Sequence, residues 1–505
     1  MTAMTASRPG QQDREIVNPA TGEVVARVPD QSPDDVAAMV ARAQEAQPGW
    51  NSLGFAARGK LLKALNSWLI TNKDRVINAL SEETGKSYDD ALRTDIFLAA
   101  QSIGYWAKHA EGFLKERKVP VGALLAGKGV KVRYEPLGVV GIIAPWNYPI
   151  LVAVADAMPA LMAGNAVVIK PSEFSPLASK LVFEEGMRAV GFPEGVCQVA
   201  TGGGATGAAL VELADMIQFT GSAATGRKIL ARAGERLIPA SAELGGKDPL
   251  LVLADANLER AANCAIQWGI CNSGQTCVGT ERIYVEAPVY DAFVAKVVEK
   301  IDALRQGPAG APATVEVGAM TTEAQVETVE RHIDEAVAAG ARVLRGGKRA
   351  AVTGRFFEPT VLVDVTNEMA CMQEETFGPT LPIMKVADAD EAIRMANDSP
   401  YGLNASVFTK DLKKGARIAR QLEAGQVCVN DAAVSISAFG APMTGWKQSG
   451  LGGRHGEQGI RKYCATQAVM VARLVLAREP YMYPYTEKRT HLVEKLLGVL
   501  FGHGR

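Results

Sequence analysis

From residue 139 to about residue 444 the chain repeats one local pattern: a short Val/Ile-rich run, then a longer segment with apolar residues at helical spacing. The runs at 139–143, 167–169, 197–199 and 216–219 form a first half, and those at 283–285, 341–344 and 427–430 belong to a second half that opens at Leu250. Such alternation specifies parallel sheets with helices on both faces. Ligands then bind outside the carboxyl ends of the strands. At 505 residues the chain is long for one core, so two α/β domains with a cleft between them are expected. The stretch 139–164 carries a single charge, Asp156, yet Pro145, Pro149 and Pro159 would break a membrane-spanning helix repeatedly. It reads as a buried strand, a loop and a buried helix.

Before this region, Ser32-Pro33-Asp34-Asp35 is a helix start, with Ser32 as the N-cap. A second helical region is expected from about Phe55 to Glu83. Residues 128–140 have strand character, interrupted by Pro136-Leu137-Gly138. No repeat of 20–50 residues is present.

Lys and Arg number 54 against 55 Asp and Glu, a net charge of −1, so nothing steers nucleic acid or a membrane surface electrostatically. The seven cysteines are scattered without a CxxC pair, which argues for a reducing compartment and against disulfide or zinc frameworks. The five histidines are scattered too, and no metal site is expected. Residues 1–14 are polar and lack the apolar core of a signal peptide. A cytoplasmic location is the expectation.

Two stretches carry candidate chemistry. In Asn272-Ser273-Gly274-Gln275-Thr276-Cys277-Val278-Gly279, a thiol sits on a Gly-bearing loop between a helical segment and a strand, where positive dipoles or a base can lower its pKa. A lone cysteine is more often a small buried hydrophobe. Thirty-four positions upstream, however, Glu243 lies in a Gly-rich turn, Glu243-Leu244-Gly245-Gly246-Lys247. On the cofactor side, Gly221-Ser222-Ala223-Ala224-Thr225-Gly226 follows a strand and opens a helix, so backbone amides and the helix dipole can approach a pyrophosphate. A plain strand–helix turn has the same residues. Lys170-Pro171-Ser172-Glu173 stands at another carboxyl end, where a cation and a carboxylate can hold ribose hydroxyls. Trp146 and Asn147 occupy a Pro-bracketed loop, and a side-chain amide beside a nucleophile can donate to an oxyanion.

These stretches, together with Phe219-Thr220-Gly221-Ser222, Pro145-Trp146-Asn147-Tyr148-Pro149 and Glu374-Glu375-Thr376-Phe377-Gly378-Pro379, resemble the aldehyde dehydrogenase superfamily from about Ile16 to about Ala472. The resemblance implies an α/β, aldehyde dehydrogenase-like fold. A Rossmann-type dinucleotide-binding domain would take 1–125 and 143–248, and an α/β catalytic domain 249–450. A β oligomerisation arm would take 126–142 and 460–475, leaving an amphipathic C-terminal tail at 476–505. The resemblance makes Cys277 the nucleophile towards an aldehyde, with Asn147 and the Cys277 amide holding the oxyanion of the thiohemiacetal. Hydride then leaves to a nicotinamide, and Glu243 activates water to hydrolyse the thioester. General-base help of this kind contributes roughly 10²–10⁴-fold. Trp146, Lys170, Ser172, Glu173, Gly221, Ser222, Gly226, Glu375 and Phe377 fall on cofactor positions. The glutamate three residues after Lys170 goes with NAD over NADP, because a carboxylate repels a 2′-phosphate. A homo-oligomer, dimer or tetramer, is implied.

For the substrate pocket the resemblance points to Tyr148, Leu151, Val152, Ala155, Thr276 and Val278. Succinate-semialdehyde dehydrogenases often carry an arginine where this chain has Ala155, and the family commonly has a lysine where it has Asp156. An apolar aliphatic or aromatic aldehyde is therefore expected, with succinate semialdehyde as the alternative and Arg282 expected to point away. An inactive scaffold, acyl transfer to coenzyme A and an esterase side activity are further readings. The first is opposed by the intact Cys277, Glu243 and Asn147, the second by Glu243 as hydrolytic base. Cys271 is the nearest rival thiol, at a helix end, and His455 reads as a surface or capping residue. The tail (Leu492, Val493, Leu496, Leu497, Val499, Leu500, Phe501) is expected to pack on its own subunit or a partner; a place near the tunnel mouth or a membrane surface is the lesser alternative.

Overall fold

The computed structural model of the protein describes residues 13–122, 125, 127–479 and 481–502. The polar N-terminus through residue 12 and the last three residues of the tail lie outside them.

Among the described residues, 13–114 together with Glu135–Ala465 form one compact unit with two large sheets and two small two-stranded ones. The first sheet runs in the order Cys197–Val199, Ala166–Lys170, Val139–Ile143, Met216–Thr220, Ala240–Glu243, with the short strand Gly450–Leu451 at its edge. The five long neighbours are parallel and Gly450–Leu451 is antiparallel to Ala240–Glu243. Three of these strands are buried on both faces and read as mostly apolar or β-branched runs, broken only by Lys170 at the end of one and Gln218 within another. Strand order reverses between Val139–Ile143 and Met216–Thr220, which makes that crevice the expected ligand position.

The second sheet has seven strands in the order Arg342–Arg345, Thr360–Val363, Thr380–Val386, Thr280–Glu286, Asp248–Val252, Asn404–Phe408, Gln426–Val429. Only the edge pair Arg342–Arg345 with Thr360–Val363 is antiparallel.

The helix Pro149–Met162 has Pro149 in its first turn and, apart from Leu151, is buried all round, as expected of a helix with no solvent face. Trp50 packs beside it and donates to the Leu161 carbonyl at 2.9 Å. The single long helical region expected upstream is two helices, Gly54–Thr71 and Lys73–Thr84, parted at Asn72, whose side-chain amide donates back to the Trp68 carbonyl at 2.9 Å.

The second unit comprises Lys115–Tyr134 and residues 466–502. Its sheet sets Lys128–Pro136 between Arg117–Val119 and Cys464–Ala472. The arm therefore ends sooner than the expected boundary at 142: Val139–Ile143 is a central strand of the first sheet. The turn at Gly138 (φ +128°) makes the break, and Asp215 pins the next residue by accepting from the Val139 amide at 2.8 Å. In the tail, Glu487–Phe501 is a helix with no buried residue. Leu492, Leu496, Val499 and Leu500 stay at least 39% exposed.

Candidate active site

The thiol loop begins where the helix Leu258–Ile270 ends. Three consecutive residues, Asn272 (φ 52°), Ser273 (φ 56°) and Gly274 (φ 73°), take the left-handed conformation. That costs roughly 1 kcal/mol or more at each non-glycine position, and the loop offsets it with hydrogen bonds. The Asn272 amide donates to Asp90 Oδ2 at 2.9 Å, its side chain donates to the Asn147 carbonyl at 3.0 Å, and Ser273 Oγ donates to the Gly318 carbonyl at 2.9 Å. At Gly274 a Cβ would overlap the Gly378–Pro379 backbone, so only glycine fits. Cys277 follows, half-buried, ahead of the amino end of Thr280–Glu286. The carboxyl-end rule thus holds for the first sheet and not for the second, whose strands meet the site with their starts.

Asn147 is buried, and its Nδ2 donates to the Gln275 carbonyl at 3.0 Å, two residues before the thiol. Its own carbonyl accepts from Lys86 Nζ at 2.8 Å. Lys86 is paired with Asp95 at 2.5 Å, both side chains being fully buried. The second Asp95 oxygen accepts the Ile150 and Leu151 amides at 3.0 Å each. One ion pair thereby ties the Asn147 loop to the start of the pocket helix. Neither Lys86 nor Asp95 was singled out from the sequence.

Glu243 is the last residue of Ala240–Glu243 rather than part of the turn that follows. It is 3% exposed, and among the described residues neither carboxylate oxygen has a hydrogen-bond partner. Burial raises its pKa to about 6, against the pull of Arg454 and Lys462 and with help from Asp156. Burial also pushes the Cys277 thiol up to about 12; Arg454 opposes this, while Glu375, Asp248 and Glu243 add to it. A thiol in this setting needs a base or a nearby positive charge to become a thiolate.

Arg454 clamps Asp156 with two hydrogen bonds, at 2.8 and 2.7 Å, and also donates to Thr220 Oγ1. Burial works against its charge, and the Asp156 carboxylate overrides that. Arg282 is directed away as expected, donating to the carbonyls of Lys247, Met395 and Ala396 and to the Tyr284 hydroxyl.

All six residues expected in the substrate pocket line one cavity with Cys277: Tyr148, Leu151, Val152, Ala155, Thr276 and Val278. Tyr148 and Thr276 are joined there by a 2.6 Å hydrogen bond between their hydroxyls. The rest of the wall comes from Thr94, Trp268, Ile436, Phe439, Met443, Arg454 and His455. His455 is a correction. It is 4% exposed, stands edge-on to Phe439 at 4.7 Å and makes no side-chain cap bond to the helix it precedes. Burial, with Arg454 beside it, pushes its pKa down to about 3, so it is a neutral ring in the pocket wall. Cys271 is buried against Tyr148 and Thr276, and burial raises its pKa to about 12.

At the cofactor positions, Lys170 ends its strand nearly buried, donates to the Pro171 carbonyl at 2.7 Å and lies 3.7 Å from Glu173. Burial lowers its pKa and Glu173 opposes that. Ser172 Oγ accepts the Phe174 amide at 3.3 Å. Ser222 caps the helix Ala223–Glu235 by accepting the Thr225 amide at 3.4 Å. A Cβ on Gly226 would lie 2.6 Å from Leu244 Cδ2, so this glycine lets the helix sit close on the exit of the Glu243 strand. Gly221 donates from its amide to the Glu243 carbonyl at 3.2 Å. Trp146 meets Phe377 edge-on at 5.4 Å. Glu375 accepts the Gly246 amide at 3.0 Å, and burial, aided by the Glu281 charge, raises its pKa to about 8. The Phe377 loop is held by Glu281, which accepts the Thr376 and Phe377 amides at 2.8 Å each and pairs with Lys247 at 2.6 Å. Lys247 and Glu281 carry no sequence signal of this role. Among the described residues no cluster of three or more His, Cys, Asp or Glu could hold a metal ion.

The sheet order and the strand-end loops form a doubly wound crevice with a half-buried thiol in the cavity wall. The chain belongs to the aldehyde dehydrogenase family, whose profile matches residues 5–469, and it is an NAD(P)-dependent aldehyde oxidoreductase. It is 40% identical over 470 residues to a Mycobacterium ulcerans (strain Agy99) protein provisionally named an NADP(+) succinate-semialdehyde dehydrogenase, covering 92% of this chain and 90% of that one. It is 36% identical over 490 residues to the 4,4'-diapolycopene aldehyde oxidase of Methylomonas sp, covering 96% and 91%. Among solved structures, lactaldehyde dehydrogenase from Escherichia coli superposes with a TM-score of 0.88 at 34% identity, over 92% of this chain and 96% of that one. The NAD+ complex of a Bacillus cereus aldehyde dehydrogenase gives 0.87 at 33% identity, over 91% and 93%.

Proposed function

We propose that the protein oxidises apolar aldehydes, aliphatic or aromatic, to carboxylic acids with NAD. The observation that carries the reading is Glu243: a buried carboxylate with no hydrogen-bond partner among the described residues, its pKa raised by burial to about 6, and one of the charges that push the Cys277 thiol up. An unpartnered buried carboxylate costs stability, and such groups concentrate at functional sites.

Cys277 Sγ attacks the aldehyde carbon, and its proton passes to Glu243. Asn147 uses one amide hydrogen on Gln275, and its second donates to the oxyanion together with the Cys277 amide. The bound nicotinamide supplies the hydride acceptor. Glu243 releases that proton to solvent, takes another from water as the water oxygen attacks the thioester, and returns it to the Cys277 sulfur as the C–S bond breaks and the acid leaves. The Lys86–Asp95 pair keeps the Asn147 loop in register with the pocket helix throughout.

The residues fit a dinucleotide. Lys170 and Glu173 lie at one strand end for the adenosine ribose, and the Ser222-capped helix start takes the pyrophosphate. Glu375 and Phe377 are anchored by Gly246 and Glu281 for the nicotinamide ribose and ring. Glu173 supports NAD through repulsion of a 2′-phosphate. The NADP(+) in the mycobacterial relatives' names makes this the point to measure.

For the substrate, the pocket wall is apolar apart from hydroxyls, the neutral His455 and Arg454, whose charge is already matched by Asp156. Apolar aldehydes suit that wall. Succinate semialdehyde, favoured by the relatives' names, would have to compete with Asp156 for Arg454. Initial NADH formation over succinate semialdehyde, short and long alkanals and aromatic aldehydes, with Cys277→Ala as control, tests the reading. Turnover rising with apolar size supports it; preference for succinate semialdehyde overturns it. The seven free cysteines support a reducing, cytoplasmic setting, and the three-stranded arm supports a homo-oligomer.

A further inference from the structure

We infer that the C-terminal helix Glu487–Phe501 docks the protein flat on an anionic lipid surface. The helix has no buried residue. Its spacing puts Leu492, Leu496, Val499 and Leu500 on one face, exposed by 48, 39, 65 and 42%. Lys488, His491 and Lys495, at i, i+3 and i+7, run along one edge of that face, and Glu487 and Glu494 stand opposite it, Glu494 2.9 Å from His491. A broad apolar face beside a basic stripe is the pattern of a helix that lies in a bilayer interface.

Charge favours lipid over a second copy of the chain. From residue 473 onward six cations (Arg473, Arg478, Lys488, Arg489, Lys495, Arg505) stand against three anions (Glu479, Glu487, Glu494), in a chain whose overall net charge is −1. Two such tails facing each other would repel, whereas an anionic headgroup layer attracts both. Arg489 interrupts the apolar face only in its first turn, where its stem can lie along the acyl boundary and its head among phosphates.

The segment leading into the helix carries Tyr481, Tyr483 and Tyr485, exposed by 58, 76 and 64%. Tyrosines concentrate at the headgroup level because one end of the ring is apolar and the other wet. Lys128 of the arm holds Tyr481 by a 2.8 Å hydrogen bond to its hydroxyl. At 15 residues the helix is about 22 Å long, short of the roughly 30 Å of a hydrocarbon core, and no described helix is long and apolar enough to cross a membrane. It lies on the surface rather than spanning it. This inference stands apart from the substrate reading, although an apolar aldehyde would itself partition into such a surface.

The test is co-sedimentation of the full-length protein with vesicles of phosphatidylcholine alone or with phosphatidylglycerol added, at low and high salt. Binding is expected only to the anionic vesicles and is expected to weaken with salt. Each Lys or Arg at such a surface is worth about fivefold in partitioning, so Lys488→Glu/Lys495→Glu should lower binding by at least about 25-fold. Leu496→Asp/Leu500→Asp should abolish it, with turnover of a short soluble alkanal unchanged in both variants. The inference fails if anionic vesicles bind no protein, or if either variant binds like the parent. It fails equally if light scattering without lipid shows the Leu496→Asp/Leu500→Asp protein losing subunits, because a second copy then covers the face.

Discussion

Arg454 and Asp156 give the most exacting test of the assignment of Glu243 as base. Arg454 is the largest influence holding the Glu243 pKa down to about 6 against its burial, ahead of Lys462, while Asp156 pushes the other way. Replacing Arg454 alone would strand a carboxylate that is 1% exposed, at a cost of roughly 3–5 kcal/mol. The neutral pair Asp156→Asn/Arg454→Gln avoids that cost, Asn keeping the shape of Asp156 and Gln leaving a shorter neutral side chain at 454. Since Arg454 outweighs Asp156, the double change should raise the Glu243 pKa, by about one unit at the lower end of what a neighbouring charge does. Glu243 works as the carboxylate, so activity falls as pH drops through its pKa, and a raised pKa moves that limb upward. At pH 6 the active fraction would fall from about half to about a tenth, a roughly fivefold loss, whereas at pH 8 both proteins keep over about nine-tenths of the base. The assay is p-nitrophenyl acetate hydrolysis without dinucleotide. Its initial burst reports acylation of Cys277, and its steady rate reports hydrolysis of the acyl-enzyme. A limb that stays in place or moves down while the steady rate at pH 8 is retained would refute Glu243 as the hydrolytic base.

Three further outcomes are expected. Asn147→Ala should lower kcat by about 10²–10³-fold, the usual loss of one oxyanion donor, with the unfolding midpoint little changed; an unchanged kcat removes Asn147 from the mechanism. Lys86→Met should cost roughly 3–5 kcal/mol of stability in urea unfolding, because Asp95 is left buried without its cation, and Lys86→Met/Asp95→Asn should recover much of it. Glu173→Ala should raise kcat/KM for NADP relative to NAD by about tenfold, the effect of removing one carboxylate from a 2′-phosphate site; an unchanged ratio means the 2′ position is read elsewhere.

Local order was legible in the sequence, and long-range pairing was not. The Val/Ile runs marked the strands because a strand buried on both faces is mostly apolar. The loop around Cys277 was readable because the residues that shape it, Asn272 to Gly274, are its neighbours in the chain. Asn147 was readable as a donor, but its fixation was not. Lys86 lies 61 residues upstream and Asp95 between them, in a stretch for which the sequence offered no reading. The clearest missed signal is Asp156. A lone carboxylate in a helix otherwise buried and apolar demands a cation wherever the chain can bring one, and Arg454, 298 residues on, supplies it. The surface reading of Gly-Gly-Arg-His at 452–455 overlooked that demand. Once Arg454 is drawn inward, His455 must follow it into the pocket wall beside Phe439. The same ion pair connects fold and substrate: by matching the Arg454 charge, Asp156 leaves the cavity, among the described residues, without a free cation for a carboxylate substrate, while Arg454 opposes the rise in the pKa of Glu243, the proposed base.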